Sequence, residues 1–155
     1  MFKIINNCVA IFSSFWYNQI VMKSLENIFE IEYTPMEARQ LNPLVLAFVG
    51  DSFFSFYITT NKLKLEACKV KGLNSNLASF VNAKAQEEYL FKIMNCLTEE
   101  ENDIVHRGRN ANIKTKAKNF SIEEYRHATG FEALLGYLYL SKNYDRLIEL
   151  LNKIF

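Results

Sequence analysis

The chain has 155 residues, half of them apolar, with 13 Phe and 8 Tyr, which suits one domain with a well-filled aromatic core. Eighteen Lys and Arg against 17 Asp and Glu leave a net charge of +1, so any contact with a polyanion must come from local charge and not from a global field. Cys8, Cys68 and Cys96 are odd in number, widely spaced and without a CxxC pair, which argues against a disulfide framework or a zinc site and favours a reducing, cytoplasmic setting.

The first apolar run, CVAIFSSFWY at residues 8–17, is bracketed by Asn6, Asn7, Asn18 and Gln19 and preceded only by Lys3. It falls short of the roughly 20 apolar residues of a membrane span and lacks the basic start and small-residue cleavage site of a signal peptide. No membrane partner is expected. Met22 opens a segment of different character, MKSLENIFEIEYTP, so residues 1–21 are read as an N-terminal extension and 22–155 as the functional domain.

Only five Gly and two Pro, Pro35 and Pro43, punctuate the chain, which favours long helices over many short strands. The first clear helix is LNPLVLAFVGDSFFSFYITTNKLK, with Asn42 as N-cap and Pro43 at the first helical position. Its apolar residues surround the axis, which predicts a central, buried helix. Residues 76–97 read as one amphipathic helix with Leu77, Phe80, Val81, Ala85, Leu90, Ile93 and Met94 on its apolar side. Thr98 with Glu101 three residues on forms a capping box for TEEENDIVHRGR, and NANIKTKAKNFS then reads as a loop. Ser121 and Glu124 cap a long helix, SIEEYRHATGFEALLGYLYLSKN, and YDRLIELLNKIF closes the chain as an amphipathic helix. The pattern is all-α.

Two acids stand where acids are costly. Asp51 lies in LVLAFVGDSFFSFYI with no other charge between Arg39 and Lys62, and Glu132 lies in HATGFEALLGYLYL as the sole acid between Glu124 and Asp145. Gly50, Ser52 and Ser55 surround the first with small residues, as Thr129 and Gly136 surround the second. Two helices that each bury a carboxylate beside small residues suggest that the carboxylates face one another, with a divalent cation between them relieving the repulsion. Oxygen-only ligands favour magnesium, or manganese as a substitute, over zinc. The competing reading gives each acid a private salt bridge with a Lys or Arg from elsewhere in the chain.

The segment HRGRNANIKTKAK carries Arg107, Arg109, Lys114, Lys116 and Lys118 without an acid, and its Gly and Asn content, Asn110 included, suits backbone-phosphate contact. Taken alone, such a run is as compatible with a solvated loop. Lys84 in VNAKAQ is a further candidate cation. His106 and His127 have no nucleophile in a recognisable setting and read as surface or helix-cap residues, and no Gly-rich phosphate loop occurs.

Together these blocks resemble the ribonuclease III family in its short bacterial form, mini-ribonuclease III. LNPLVLAFVGDSFFSFYI resembles the signature helix, and VNAKAQ, EEENDIVHRGRNAN and KNFSIEEYRHATGFEALLGYLYL resemble the remaining blocks, in order, over about residues 40–150. The resemblance implies a helical endonuclease domain without a separate double-stranded-RNA-binding domain. A two-fold homodimer is expected because Phe48, Phe53, Phe54, Phe56 and Tyr57 surround the signature helix with more aromatic area than one small domain encloses. The competing reading is that all five rings fill the core. The resemblance also implies Asp51 and Glu132 as catalytic and metal-binding residues, and double-stranded RNA as substrate, in particular precursor large-subunit (23S) ribosomal RNA, with a ribosomal protein on that RNA as a further partner. Two additional acids of the full-length enzymes fall at Ala47 and Thr129 here, so one well-held metal is easier to support than two. The Leu-His pair usual before the VSAK-like block of short forms is replaced in LNSNLASFVNAKAQ. The rival readings are a catalytically silent domain of the same fold that docks RNA or a partner, and a structural bundle that dimerises through its aromatic faces.

Overall fold

The computed structural model describes residues 33–65, 78–111 and 121–155. The proposed extension, Cys8, Cys68, Leu77 and the loop lysines Lys114, Lys116 and Lys118 lie outside the described residues. Six α-helices are described: α1 (Pro35–Gln40), α2 (Pro43–Leu65), α3 (Ala83–Ile93), α4 (Glu99–Arg109), α5 (Ile122–Leu140) and α6 (Tyr144–Ile154). No strand occurs among the described residues.

Local chemistry sets where these helices start. The Thr98–Glu101 and Ser121–Glu124 capping boxes both form, each hydroxyl accepting from the main-chain N–H three residues on while the glutamate accepts from the cap's own N–H. A third box, Thr34 with Glu37, starts α1, a short helix that the apolar pattern did not signal. Asn42 Oδ1 accepts from Leu44 N–H at 2.9 Å and starts α2 as expected.

The helix expected over 76–97 is not continuous. Asn82 turns to extended backbone and its Oδ1 accepts from Ala85 N–H at 3.0 Å, which starts α3 afresh, and a 3₁₀ turn at Met94–Cys96 ends it. The restart resets the helical phase. The buried face of α3 is therefore Gln86, Tyr89, Leu90 and Ile93, while Met94, expected on the apolar side, is exposed.

The central helix is α5, not α2. Twelve of its 19 residues are buried, and α2, α3, α4 and α6 all pack against it. α2 buries one stripe, Leu46, Gly50, Phe54 and Ile58, at a spacing of four, and leaves Val45, Phe48 and Phe56 exposed on another side. An apolar circumference is common to core helices and to helices with an uncovered face, so composition alone could not separate the two. By length and composition α2 could also cross a membrane, yet at Gly50 it is pressed backbone-to-backbone onto α5. Phe54 sits at the middle of the core, edge-on to Phe131 and Tyr89 with ring centroids 5.3 and 5.9 Å away. Arg146 on α6 reaches back to Glu101 at 2.8 and 2.9 Å and donates to Cys96 C=O at 2.6 Å, tying the last helix to the start of α4.

The approach of α2 to α5 positions everything that follows. A Cβ placed on Gly50 would lie 1.8 Å from the carbonyl oxygen of Glu132, and one on Gly136 would lie 2.0 Å from that of Leu46. Two glycines facing across the crossing let the backbones touch, and Asp51 and Glu132 are the residues beside that point of contact.

Candidate functional site

α2 brings Asp51, α5 brings Glu132 and α3 brings Gln86 to one cavity of about 510 Å³, whose walls include Ala47, Phe48, Asn82 and Thr129. The expectation that both acids are buried holds for only one of them. Glu132 is largely enclosed, whereas Asp51 stands at the rim with one side open to solvent. Burial raises the Glu132 carboxyl to about 8, helped by the neighbouring Asp51 charge and opposed by the Gln86 amide. Partial burial also raises Asp51, again with Gln86 opposing. Neither acid has a salt bridge to a Lys or Arg among the described residues, so the private-pair reading finds no support there.

The donor set can be weighed against a cation. Two carboxylates repel in a partly enclosed site that is open on one side, and a small divalent ion bound through oxygen relieves that repulsion while keeping part of its water shell. Among the described residues no third Asp, Glu, His or Cys joins them. Ala47 and Thr129, where the resemblance places two further acids of the full-length enzymes, also line the cavity, and the Thr129 hydroxyl is spent on Tyr125 C=O at 2.9 Å. Gln86 is 1% exposed, and its Nε2 has no hydrogen-bond partner although the amide lies close enough to lower both acids. A hard cation held mainly by Asp51 and Glu132 fits this arrangement. The described lining offers zinc neither a thiolate nor an imidazole.

The expected phosphate-contacting cations fare unequally. Lys84 is exposed on the first turn of α3, close enough to Glu124 to stabilise its charge. Arg109 is half exposed and makes a loose ion pair with Glu123 at 3.8 Å. Arg107 is occupied instead: its guanidinium donates to the main-chain carbonyls of Arg39 and Leu41, the second at 2.8 Å, and so ties α4 to the end of α1. Asn110 caps α4 and turns its side chain to His106 at 2.8 Å. His127, expected at the surface, is buried and meets Glu87 at 2.6 Å, joining α5 to α3 beside the cavity. A larger groove of about 610 Å³ runs along α4 past Pro43, Asp103 and His106. It contains neither acid of the pair, and its Asp103 and Arg107 are committed to Arg39 and to main chain.

Sequence reasoning missed Gln86. The signal was present in VNAKAQ: with Asn82 as a cap, Lys84 and Gln86 fall on opposite sides of the new helix, so an exposed Lys84 implies an inward glutamine.

Against known proteins, residues 44–143 match the model of the ribonuclease III domain. The chain belongs to the ribonuclease III family. The Mini-ribonuclease 3 of Thermoanaerobacter sp. is 48% identical over 111 residues, 72% of this chain and 78% of that protein. The Mini-ribonuclease 3 of Clostridium tetani is 41% identical over 124 residues, 79% and 82% of the two chains, and that of Staphylococcus aureus 44% identical over 117 residues, 74% and 87%. A crystal structure of a Fusobacterium nucleatum protein superposes with a TM-score of 0.68 at 34% identity, covering 74% of this chain and 91% of that one. The fold is therefore the ribonuclease III domain fold, and the chain is an endoribonuclease of the mini-ribonuclease III type.

Proposed function

We propose that this ribonuclease III family member hydrolyses phosphodiester bonds in double-stranded RNA with a magnesium ion held by Asp51 and Glu132. The observation that carries the reading is the meeting of these two carboxylates, unpaired by any described Lys or Arg, across a backbone contact that only glycines at 50 and 136 permit. When bound, the ion supplies Lewis acidity toward a phosphate oxygen and a water acidic enough to act as nucleophile near neutral pH. Asp51, at the solvent-facing rim, offers the carboxylate that an incoming backbone meets first. Glu132, deeper and raised to about 8 chiefly by burial, would have to be ionised to hold the ion, which would oppose that shift. Of the cations predicted to meet strand phosphates, Lys84 and Arg109 are the described ones whose side chains are not spent on main chain, and Lys114, Lys116 and Lys118 extend that set by sequence. Recognition of duplex RNA by A-form shape and 2′-hydroxyls asks for no base-stacking surface.

The working unit in this reading is a homodimer. Phe48 and Phe56 are 76% and 69% exposed and, with Val45, leave one face of α2 uncovered beside the cavity. A large aromatic face of this kind is typical of an obligate interface, and a two-fold dimer would present one carboxylate pair to each strand of a duplex. The cytoplasmic substrate proposed is precursor 23S ribosomal RNA, a proposal supported by the family resemblance. Incubating the protein in Mg²⁺ with duplex RNA, single-stranded RNA and duplex DNA of one sequence tests the substrate class. Cutting confined to duplex RNA is expected, and equal cutting of single strands would overturn it.

A further inference from the structure

The cavity contains one polar group that the two-carboxylate account leaves unused. Gln86 is the only polar residue on the buried face of α3, one turn before Tyr89 and Leu90, and its Nε2 is enclosed without a hydrogen-bond partner. Buried side-chain amides are normally satisfied. This one lies near enough to both carboxylates to lower them, yet its Nε2 makes a well-formed hydrogen bond with neither. Among the other walls, Ala47 has no polar side-chain atom, the Thr129 hydroxyl is taken by Tyr125 C=O, and the Asn82 amide is spent on Ala85 N–H and on the carbonyls of Ala78 and Ser79.

We propose that Gln86 is the third side chain of the cation site, with its amide oxygen Oε1 turned onto the metal when the site is loaded. The proposal deepens the magnesium reading and rests on it. The two ends of a carboxamide have nearly the same shape, so a half-turn of the group exchanges nitrogen for oxygen without new space. In the metal-free site the N–H₂ end belongs beside the two acids. With a cation between them the sign of the local charge reverses, and the oxygen end is the one it attracts. An amide also adds an oxygen ligand without a third negative charge, which a site already crowded by two acids could hold only at further cost. A lysine there would compete with the ion, and a leucine would leave the ligand set at two.

The test is Mn²⁺ binding by calorimetry, without RNA, to the full chain and to its Gln86→Met, Gln86→Glu and Asp51→Asn variants. Gln86→Met should weaken binding at least about tenfold, while Gln86→Glu, which keeps an oxygen at the same reach, should bind as well as the parent or more tightly. Gln86→Met should melt in EDTA no lower than the parent, because it replaces an orphaned amide by an apolar side chain of similar size. Unchanged affinity in Gln86→Met overturns the assignment. Equal loss in Gln86→Met and Gln86→Glu also overturns it, because the N–H end would then be the part in use. Loss in Asp51→Asn alone removes only the role of Gln86, whereas unchanged binding in Asp51→Asn removes the cation site itself. Should Gln86→Met fail to fold, Mg²⁺ titration of the unaltered protein decides. The side-chain carbonyl ¹³C resonance of Gln86 should move on loading if the oxygen is a ligand, and its failure to move overturns the proposal.

Discussion

Replacing Glu132 by Gln in the metal-free protein should turn a pH-dependent stability into a nearly flat one. The carboxyl is raised from an ordinary 4.5 to about 8, chiefly by burial. Between those values the folded state keeps a proton that the unfolded chain has already released, so folding is favoured below about pH 4.5 and loses ground as pH rises to about 8. Each unit across the window is worth about 1.4 kcal/mol, giving an upper bound near 5 kcal/mol and, after water entry and sharing of charge with Asp51, about 3. Glutamine has the same shape and no charge to bury. Denaturant unfolding in EDTA from pH 5 to 8.5 should therefore find the two proteins close together at pH 5 and the Gln variant more stable by about 3 kcal/mol at pH 8. Magnesium should close that gap from the parent's side by binding the ionised form. Two stability curves that stay parallel over the whole range would refute the claim that Glu132 is held protonated.

Gly136→Ala should cost about 3 kcal/mol or more and abolish activity, because the new methyl would lie 2.0 Å from Leu46 C=O and must push α2 off α5; a normal melting temperature would refute the backbone contact. Arg107→Ala should lower stability by about 1–3 kcal/mol through its two lost carbonyl contacts and leave the salt dependence of RNA binding unchanged. Lys84→Ala and Arg109→Ala should instead each reduce the slope of log affinity against log salt by about 0.7–0.9 with little effect on melting, and an unchanged slope would make them bystanders. Phe48→Asp with Phe56→Asp should convert a particle of about twice 18.1 kDa into a folded monomer by light scattering, and a parent that is already monomeric would refute the interface.

Much of this was legible in the residues because the signals were local. Capping boxes at Thr98 and Ser121 depend on side chains three apart, and Asp51 and Glu132 are conspicuous through the absence of other charge around them. What failed was decided over longer range. α2 and α5 are both apolar around most of the helix, and the fact that α5 is enclosed while α2 keeps a bare face follows from how many neighbours each one has, which no single segment encodes. Arg107 resembled its neighbour Arg109 in a basic run until the end of α1 arrived to accept its hydrogen bonds. His127 was hidden in the same way, because Glu87 comes to it from 40 residues away. Gln86 was missed for a smaller reason: the helix was drawn through Asn82, and the restart there rotates the following residues onto another face.

The most direct measurement of the central claim is the initial rate of duplex-RNA cleavage as a function of free Mg²⁺ for the parent chain and Asp51→Asn. The account predicts no cutting in EDTA, a saturable rise with Mg²⁺ in the parent, and a flat line at background for Asp51→Asn despite a native melting temperature and retained RNA binding. Cleavage that persists in EDTA, or an Asp51→Asn protein that turns over like its parent, would contradict it.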